Sequence, residues 1–248
     1  MSGEHPTLPS AEVKALLRAS DEKWGTVESR PQLLRVEATS SAVLHVAARA
    51  AYTRGAYREV LRTVNRREDI LRKTASVNFG PYLQPGRTFN VRVARLRGSS
   101  RHLSTLDLEK SLGSVILGKV ESSKVSFRRP NVSFEGFLAE NIFLLGVPLN
   151  YSRLSLKDRS PRRKPFFHPS SLHPKLARCL VNLTEPREGD FVVDPFCGTG
   201  SIPLEACLLG FESVAGDIQR RMVEGSRANL NYYGCRDYHL VVADAMQL

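Results

Sequence analysis

At 248 residues with 42% hydrophobic side chains, the chain is long enough for one large or two ordinary globular domains with real cores. The formal net charge is +11, from 36 Lys/Arg against 25 Asp/Glu. No apolar run reaches the length of a membrane span, and "MSGEHPTLPS" lacks a basic-then-apolar signal pattern, which excludes the membrane and secreted classes and leaves a cytoplasmic protein as the expectation.

In chain order, "PSAEVKALLRA" predicts a helix over about Ala11–Ala19 with Ser10 as its N-cap and Val13, Leu16 and Leu17 at helical spacing. "LLRVEAT" predicts a strand over 33–39, and "SAVLHVAARAAY" a helix with Val43, Val46, Ala47 and Ala50 on one face. "FNVRVARLRG" sets Phe89, Val91 and Val93 opposite Arg92, the pattern of a half-buried strand. "TLDLEKSLGSVILGK" reads as an amphipathic helix, and "KVSFRRPNVSFEGFLAENIFLLGVPL" as strands joined by a turn near Ala139–Asn141. Further on, "LHPKLARCLVNL" predicts a helix packing Leu172, Leu176, Leu180 and Leu183 in one stripe.

The charge is unevenly spread. Residues 1–165 hold 29 Lys/Arg against 15 Asp/Glu, whereas residues 166–248 hold 7 against 10, so the front of the chain is the candidate for a polyanionic partner. Arg outnumbers Lys 27 to 9, which suits bidentate phosphate contacts and also follows from base composition alone. The seam "SRLSLKDRSPRRKPFFHPSSLHP" concentrates Arg153, Lys157, Arg159, Arg162, Arg163 and Lys164, either as a solvated linker over 151–165 or as a stretch lying along an RNA backbone. Arg128 and Arg129, with Arg159, Arg162, Arg163 and Lys164, are the candidate RNA contacts. Cys179, Cys197, Cys207 and Cys235 form no Cys-x-x-Cys pair and match no histidine spacing, so neither a metal site nor a disulfide framework is expected, only reduced thiols.

The stretch "VVDPFCGTGSIPLEA" is a β-branched run, an acid and a Gly-x-Gly turn before a helix over Ser201–Leu209. Such a turn brings backbone N–H groups close to a ligand. Gly200 is followed by Ser201 and Ile202 instead of the Lys-Ser/Thr of a P-loop, and Pro203 replaces the third glycine of a dinucleotide fingerprint. A second strand "SVAGD", a helix through "QRRMVEGSRANLNYYG" and a third strand "HLVVADA" follow. Asp194, Asp217 and Asp244 thereby end three successive strands at the carboxyl edge of one parallel sheet, where open α/β sheets bind ligands. A single acid at a strand end is more often a helix N-cap than a ligand group; three in register with a glycine turn point to a site.

"DPFCGTGSIPLEACLLG", "AGDIQRRMVEGSRANLNYYG" and "ADAMQL" resemble the S-adenosylmethionine-dependent methyltransferases of the tRNA guanine N2 group, as does "RKPFFHPSSLHPKLARCLVNL" ahead of the turn. The front resembles the THUMP RNA-binding module with its N-terminal companion, and "SGEHPTLPSAEVKALL" is similar to the opening of the archaeal enzymes that modify guanine at tRNA position 10. The resemblance implies an α/β architecture: an N-terminal α+β ferredoxin-like and THUMP-like RNA-binding region over 1–150, a basic linker over 151–165, and a Rossmann-like class I methyltransferase domain over 166–248. It implies S-adenosylmethionine as cofactor and tRNA as partner, without metal. Asp194, Phe196, Cys197, Gly198, Thr199 and Gly200 would wrap the methionine end, Asp217 would hold the ribose with Ile218 against the adenine, and Asp244 and Ala245 would meet the adenine amino group. Phe167, His168 and Pro169 would help close the site, with an ordinary loop histidine the alternative for His168. An rRNA guanine methyltransferase and a non-catalytic RNA-binding protein with a vestigial cofactor fold are the alternatives in function.

The family's catalytic Asn/Asp-Pro-Pro-Tyr/Phe motif is absent up to Leu248. On sequence alone, the catalytic group is expected beyond Leu248, no catalytic residue is named, and the 248 residues by themselves are expected to be inactive and to self-associate.

Overall fold

The computed structural model describes residues 1–152 and 155–247; Arg153, Leu154 and Leu248 lie outside them. In chain order the elements are α1 Leu8–Ala19, β1 Trp24–Arg30, β2 Leu33–Ala38, α2 Ser40–Arg49, β3 Tyr57–Val64, α3 Arg67–Ala75, β4 Thr88–Arg95 and α4 Thr105–Leu117. Then come β5 Lys124–Val125, β6 Val132–Ala139, β7 Ile142–Pro148, α5 Pro174–Leu183, β8 Phe191–Asp194, α6 Ser201–Cys207, β9 Glu212–Asp217, α7 Arg220–Tyr232 and β10 Tyr238–Val242. Contacts divide the chain into two compact units, one of Met1–Thr26, Val36–Arg54 and Tyr151–Leu248, the other of Val27–Arg35 and Gly55–Asn150. The division places α1 and α2 with residues 151–248, across the 1–150 boundary drawn from the sequence.

The second unit is built on a mixed sheet of order β3-β7-β6-β4-β5, in which β4 runs parallel to β6 and β5 while β7 runs antiparallel to both its neighbours. Phe89, Val91 and Val93 of β4 are buried, as their alternation requires. They join Phe134 of β6 and Leu108, Leu112 and Ile116 of α4 in one apolar core. Ser104 caps α4 by accepting the Asp107 N–H at 3.2 Å. The turn at Glu140 between β6 and β7 has φ +46°, close to where the sequence placed it.

The first unit carries a parallel sheet of order β10-β9-β8. Four local expectations are corrected here. Helix α1 starts at Leu8 behind Thr7, with Pro9 in its first turn; Ser10 lies inside the helix and its hydroxyl donates back to the Thr7 carbonyl at 3.0 Å. The buried face of α5 is Pro174, Ala177, Arg178, Cys179, Val181 and Asn182, while Leu176, Leu180 and Leu183 are only half-buried. That rotation follows from ion pairing, because Arg178 is turned inward to meet Glu205. Strand β10 stops at Val242, leaving Asp244 two residues past it. Finally, Cys207 and Cys235 form a disulfide where the end of α6 meets the turn after α7, in the same apolar cluster as Leu204 and Leu230. Cys179 and Cys197 are buried free thiols. Among the described residues, no helix is long and apolar enough to cross a membrane, and no group of three His, Cys, Asp or Glu could hold a metal ion.

Candidate active site

The register of the parallel sheet staggers its three acids. Asp194 pairs with Ala215 and Asp217 pairs with Val242, so each acid stands two residues beyond the level of the previous one. Asp194 is buried and accepts the Phe196 N–H at 3.1 Å. Burial raises its pKa above the usual carboxylate value, that N–H works in the opposite direction, and the Asp217 charge raises it further. Asp217 accepts the Gly198 N–H through Oδ2 at 3.0 Å and the Gln219 N–H through Oδ1 at 2.9 Å. Asp244 accepts the Met246 N–H at 3.0 Å. Each carboxylate thus shapes the loop that follows or faces it.

The turn between β8 and α6 depends on both glycines, for different reasons. Gly198 and Gly200 have φ of +51° and +74°, the left-handed region that a Cβ disfavours. A Cβ on Gly198 would meet nothing, so this side of the turn stands open to a ligand. A Cβ on Gly200 would instead overlap the Ser226 hydroxyl, because α7 packs directly against the turn. Cys197 donates its N–H to the Gly216 carbonyl at 2.7 Å, and burial pushes its thiol up to about 12, which removes it as a nucleophile at neutral pH.

A second segment, residues 164–172, is fastened to this turn by side chains. Asn229 of α7 is fully buried; its Oδ1 accepts the Phe166 N–H, and its Nδ2 donates to the carbonyls of Phe166 and Thr199, each at 2.9 Å. Thr199 donates to the Ser171 hydroxyl at 3.0 Å, and Ser201 to the Leu172 carbonyl at 3.2 Å. Phe166 lies against Gly225, where any Cβ would overlap its ring. Phe167 and Pro169 remain exposed, and His168 is held within its own loop by Ser170, which donates its N–H to Nδ1 at 3.3 Å. Asn229, Ser226 and Gly225 were missed in the sequence. The "EGSRANL" spacing that lines them up as i, i+1 and i+4 on one helix face was the available signal.

Beside the acids, Phe196 is 77% and Ile218 66% exposed, large apolar side chains standing at the strand ends. Ala245 is half-buried in the turn beyond Asp244. An apolar surface beside carboxylates and a Cβ-free backbone fits a ligand with a flat aromatic base, vicinal hydroxyls and a polar tail.

Of the RNA candidates, Arg128 and Arg129 are exposed in the second unit, next to Phe127, whose ring lies 4.9 Å from the Arg92 guanidinium carbon. In the first unit Arg162 and Arg163 are exposed, Arg163 pairing with Asp158 at 2.9 Å. Arg159 and Lys164 are corrected: both are buried, Arg159 donating from Nε to Glu205 at 2.7 Å and Lys164 to the Ser201 hydroxyl at 2.8 Å. A buried cation already committed to an internal carboxylate or hydroxyl cannot reach a phosphate.

A parallel sheet with staggered acids at its carboxyl ends, a Gly-x-Gly turn and an open apolar face fits an S-adenosylmethionine-dependent methyltransferase. Residues 161–248 match the RMKL-like methyltransferase domain, and residues 65–147 match the THUMP domain. Over its whole length the chain is 33% identical to the tRNA (guanine(10)-N2)-dimethyltransferase of Methanothermobacter thermautotrophicus, covering 72% of that protein. It is 30% identical over 96% of its length to the enzyme of the same name from Methanocaldococcus jannaschii, covering 71% of it. Its fold is that of TrmN from Thermus thermophilus, with a TM-score of 0.57 at 23% identity over 98% of this chain and 72% of that one. The chain belongs to the tRNA (guanine(10)-N2)-dimethyltransferase family.

Proposed function

We propose that the protein methylates the exocyclic N2 of guanine 10 in tRNA, in two successive transfers, in the cytoplasm. The observation that carries this reading is the similarity to enzymes of that name across both the THUMP and the methyltransferase portions of the chain. S-adenosylmethionine supplies an electrophilic methyl group on a sulfonium. The chain's own part is to hold that ligand and present the nucleic acid. Gly198, Thr199 and Gly200, with Asp194, Phe196 and Cys197, form the turn for the methionine end; Asp217 takes the ribose hydroxyls, Ile218 the adenine face, and Asp244 and Ala245 the adenine edge. Phe167, His168 and Pro169 close over it. Holding the reactants in line makes transfer effectively unimolecular.

To test this, the protein is incubated with methyl-labelled S-adenosylmethionine and tRNA transcripts carrying guanine or adenine at position 10, and the digested nucleosides are weighed by mass spectrometry. N2,N2-dimethylguanosine from the guanine transcript alone is the expected result; equal labelling of both transcripts overturns the assignment of position.

Arg128 and Arg129 belong to the proposed tRNA contact, together with Arg162 and Arg163. Each phosphate neutralised releases counterions, so log affinity should fall linearly with log salt. The double variant R128A/R129A should bind tRNA more weakly and lower that slope by about 2, roughly one per lost phosphate contact. Filter binding across a salt series reads both. An unchanged slope removes the pair from the interface.

A further inference from the structure

Glu205, on α6, is buried together with three cations. Arg159 donates to it from Nε at 2.7 Å and from Nη2 at 3.3 Å, and Arg178 of α5 from Nε at 2.7 Å. Lys164, equally buried, does not share this carboxylate; its ammonium donates to the hydroxyl of Ser201 at 2.8 Å, and that hydroxyl donates on to the Leu172 carbonyl. Cations therefore outnumber carboxylates in this cluster: Arg159, Arg178 and Lys164, with Arg49 beside Arg178, stand against Glu205 and Glu12. The guanidinium groups cannot give up a proton, so the surplus charge can be relieved only at Lys164. Glu12 of α1 and Arg49 of α2 act on Arg178, while the charged groups that act on Lys164 itself are Glu205 and Arg159.

We infer that Lys164 is a positioning residue of the cofactor turn: its ammonium, through Ser201, clamps residues 164–172 onto the turn, and loss of its proton loosens the clamp. The inference rests on reading residues 194–200 as the S-adenosylmethionine site. Ser201 is the first residue after Gly200, so a bond that fixes its hydroxyl fixes the exit of the turn, and Leu172 ties the same hydroxyl to the loop that carries Phe167, His168 and Pro169. Burial, opposed by Glu205 and reinforced by Arg159, lowers the Lys164 pKa from 10.5 to about 8. A neutral amine makes a weaker hydrogen bond than an ammonium. The clamp is thus at full strength below pH 8 and weakens as pH rises through that value.

The test is calorimetric titration of S-adenosylmethionine from pH 6.5 to 9.5 into the wild type, K164M, K164R and S201A, with a thermal melt of each. The ligand's own α-amino group titrates in the same range, so the readout is the ratio of each variant's Kd to that of the wild type at the same pH. K164M, which keeps the volume and removes the surplus charge, should bind about 5- to 10-fold more weakly at pH 6.5, a change of roughly 1–1.4 kcal/mol, and approach the wild type at pH 9.5. S201A should reproduce K164M, and K164R, which stays charged, should bind more tightly than the wild type at pH 9.5. A Kd ratio for K164M that is constant with pH, or equal to one at pH 6.5, overturns the inference while leaving the cofactor site standing. A wild type that binds no S-adenosylmethionine at any pH overturns both.

Discussion

Glu205→Ala is expected to destabilise the protein by roughly 3–5 kcal/mol, the range for removing one partner from a buried ion pair. Its side chain is 1% exposed and receives both Arg159 and Arg178, themselves almost fully covered. Without the carboxylate, both guanidinium groups stay desolvated with only the Glu12 charge acting on Arg178, and a small cavity opens at the contact of α5 with α6. Glu205→Gln keeps the volume and one acceptor oxygen, so it separates the charge from the packing; it should lose less than the alanine variant but still more than 1 kcal/mol. Urea unfolding followed by circular dichroism reads the difference. A loss below 1 kcal/mol for Glu205→Ala would mean that water reaches the cluster and solvates the arginines.

Asp217→Ala is expected to weaken S-adenosylmethionine binding by roughly 1.5–3 kcal/mol, the range for a hydrogen bond to a charged group, or about 10- to 150-fold in Kd. The structure gives this carboxylate one task, and the proposed function adds a second. One oxygen already holds the Gly198 N–H and so sets the turn; the carboxylate stands at the end of β9, where it can also take ribose hydroxyls. Asp217→Asn retains one acceptor and should lose only part of the affinity. tRNA affinity should be unchanged in both variants, because the basic residues proposed to meet RNA lie elsewhere in the chain. Calorimetry that finds the same cofactor affinity in Asp217→Ala would remove Asp217 from the site.

The elements that form the site were legible because their signals are local. A β-branched run ending in an acid, two glycines one residue apart, and a helix start within three residues specify β8, the turn and α6 without reference to the rest of the chain. The same pattern of a strand ending in an acid gave β9, and the acids of "AGD" and "ADA" gave one carboxyl edge, whose two-residue stagger only the strand register showed. By contrast β3 and α3 were not found. "YREVLRTV" interrupts its alternation with a bulge between Glu59 and Leu61, and "REDILRKTA" buries only Ile70 and Thr74, too narrow a stripe to show as a helical period.

The sequence by itself thus determined a parallel sheet with three acids at one edge around a glycine turn, and a basic front half. Only the tertiary structure decided what the charged and polar residues around that edge do. In "DRSPRRKP" the six residues from Asp158 to Arg163 look uniformly solvated, yet Arg159 is buried against Glu205, 46 positions away, while Arg162 and Arg163 face water. Lys164 meets Ser201 at a separation of 37, Asn229 meets Phe166 at 63, and Glu12 takes the N–H groups of Ala51 and Tyr52 and an amide hydrogen of Asn182 at 170. The Cys207–Cys235 bridge likewise depends on α6 and α7 lying side by side. A side chain's partner at such separations is set by how whole elements pack, and burial without that partner would be prohibitive, so neither its burial nor its role is written in its own neighbourhood.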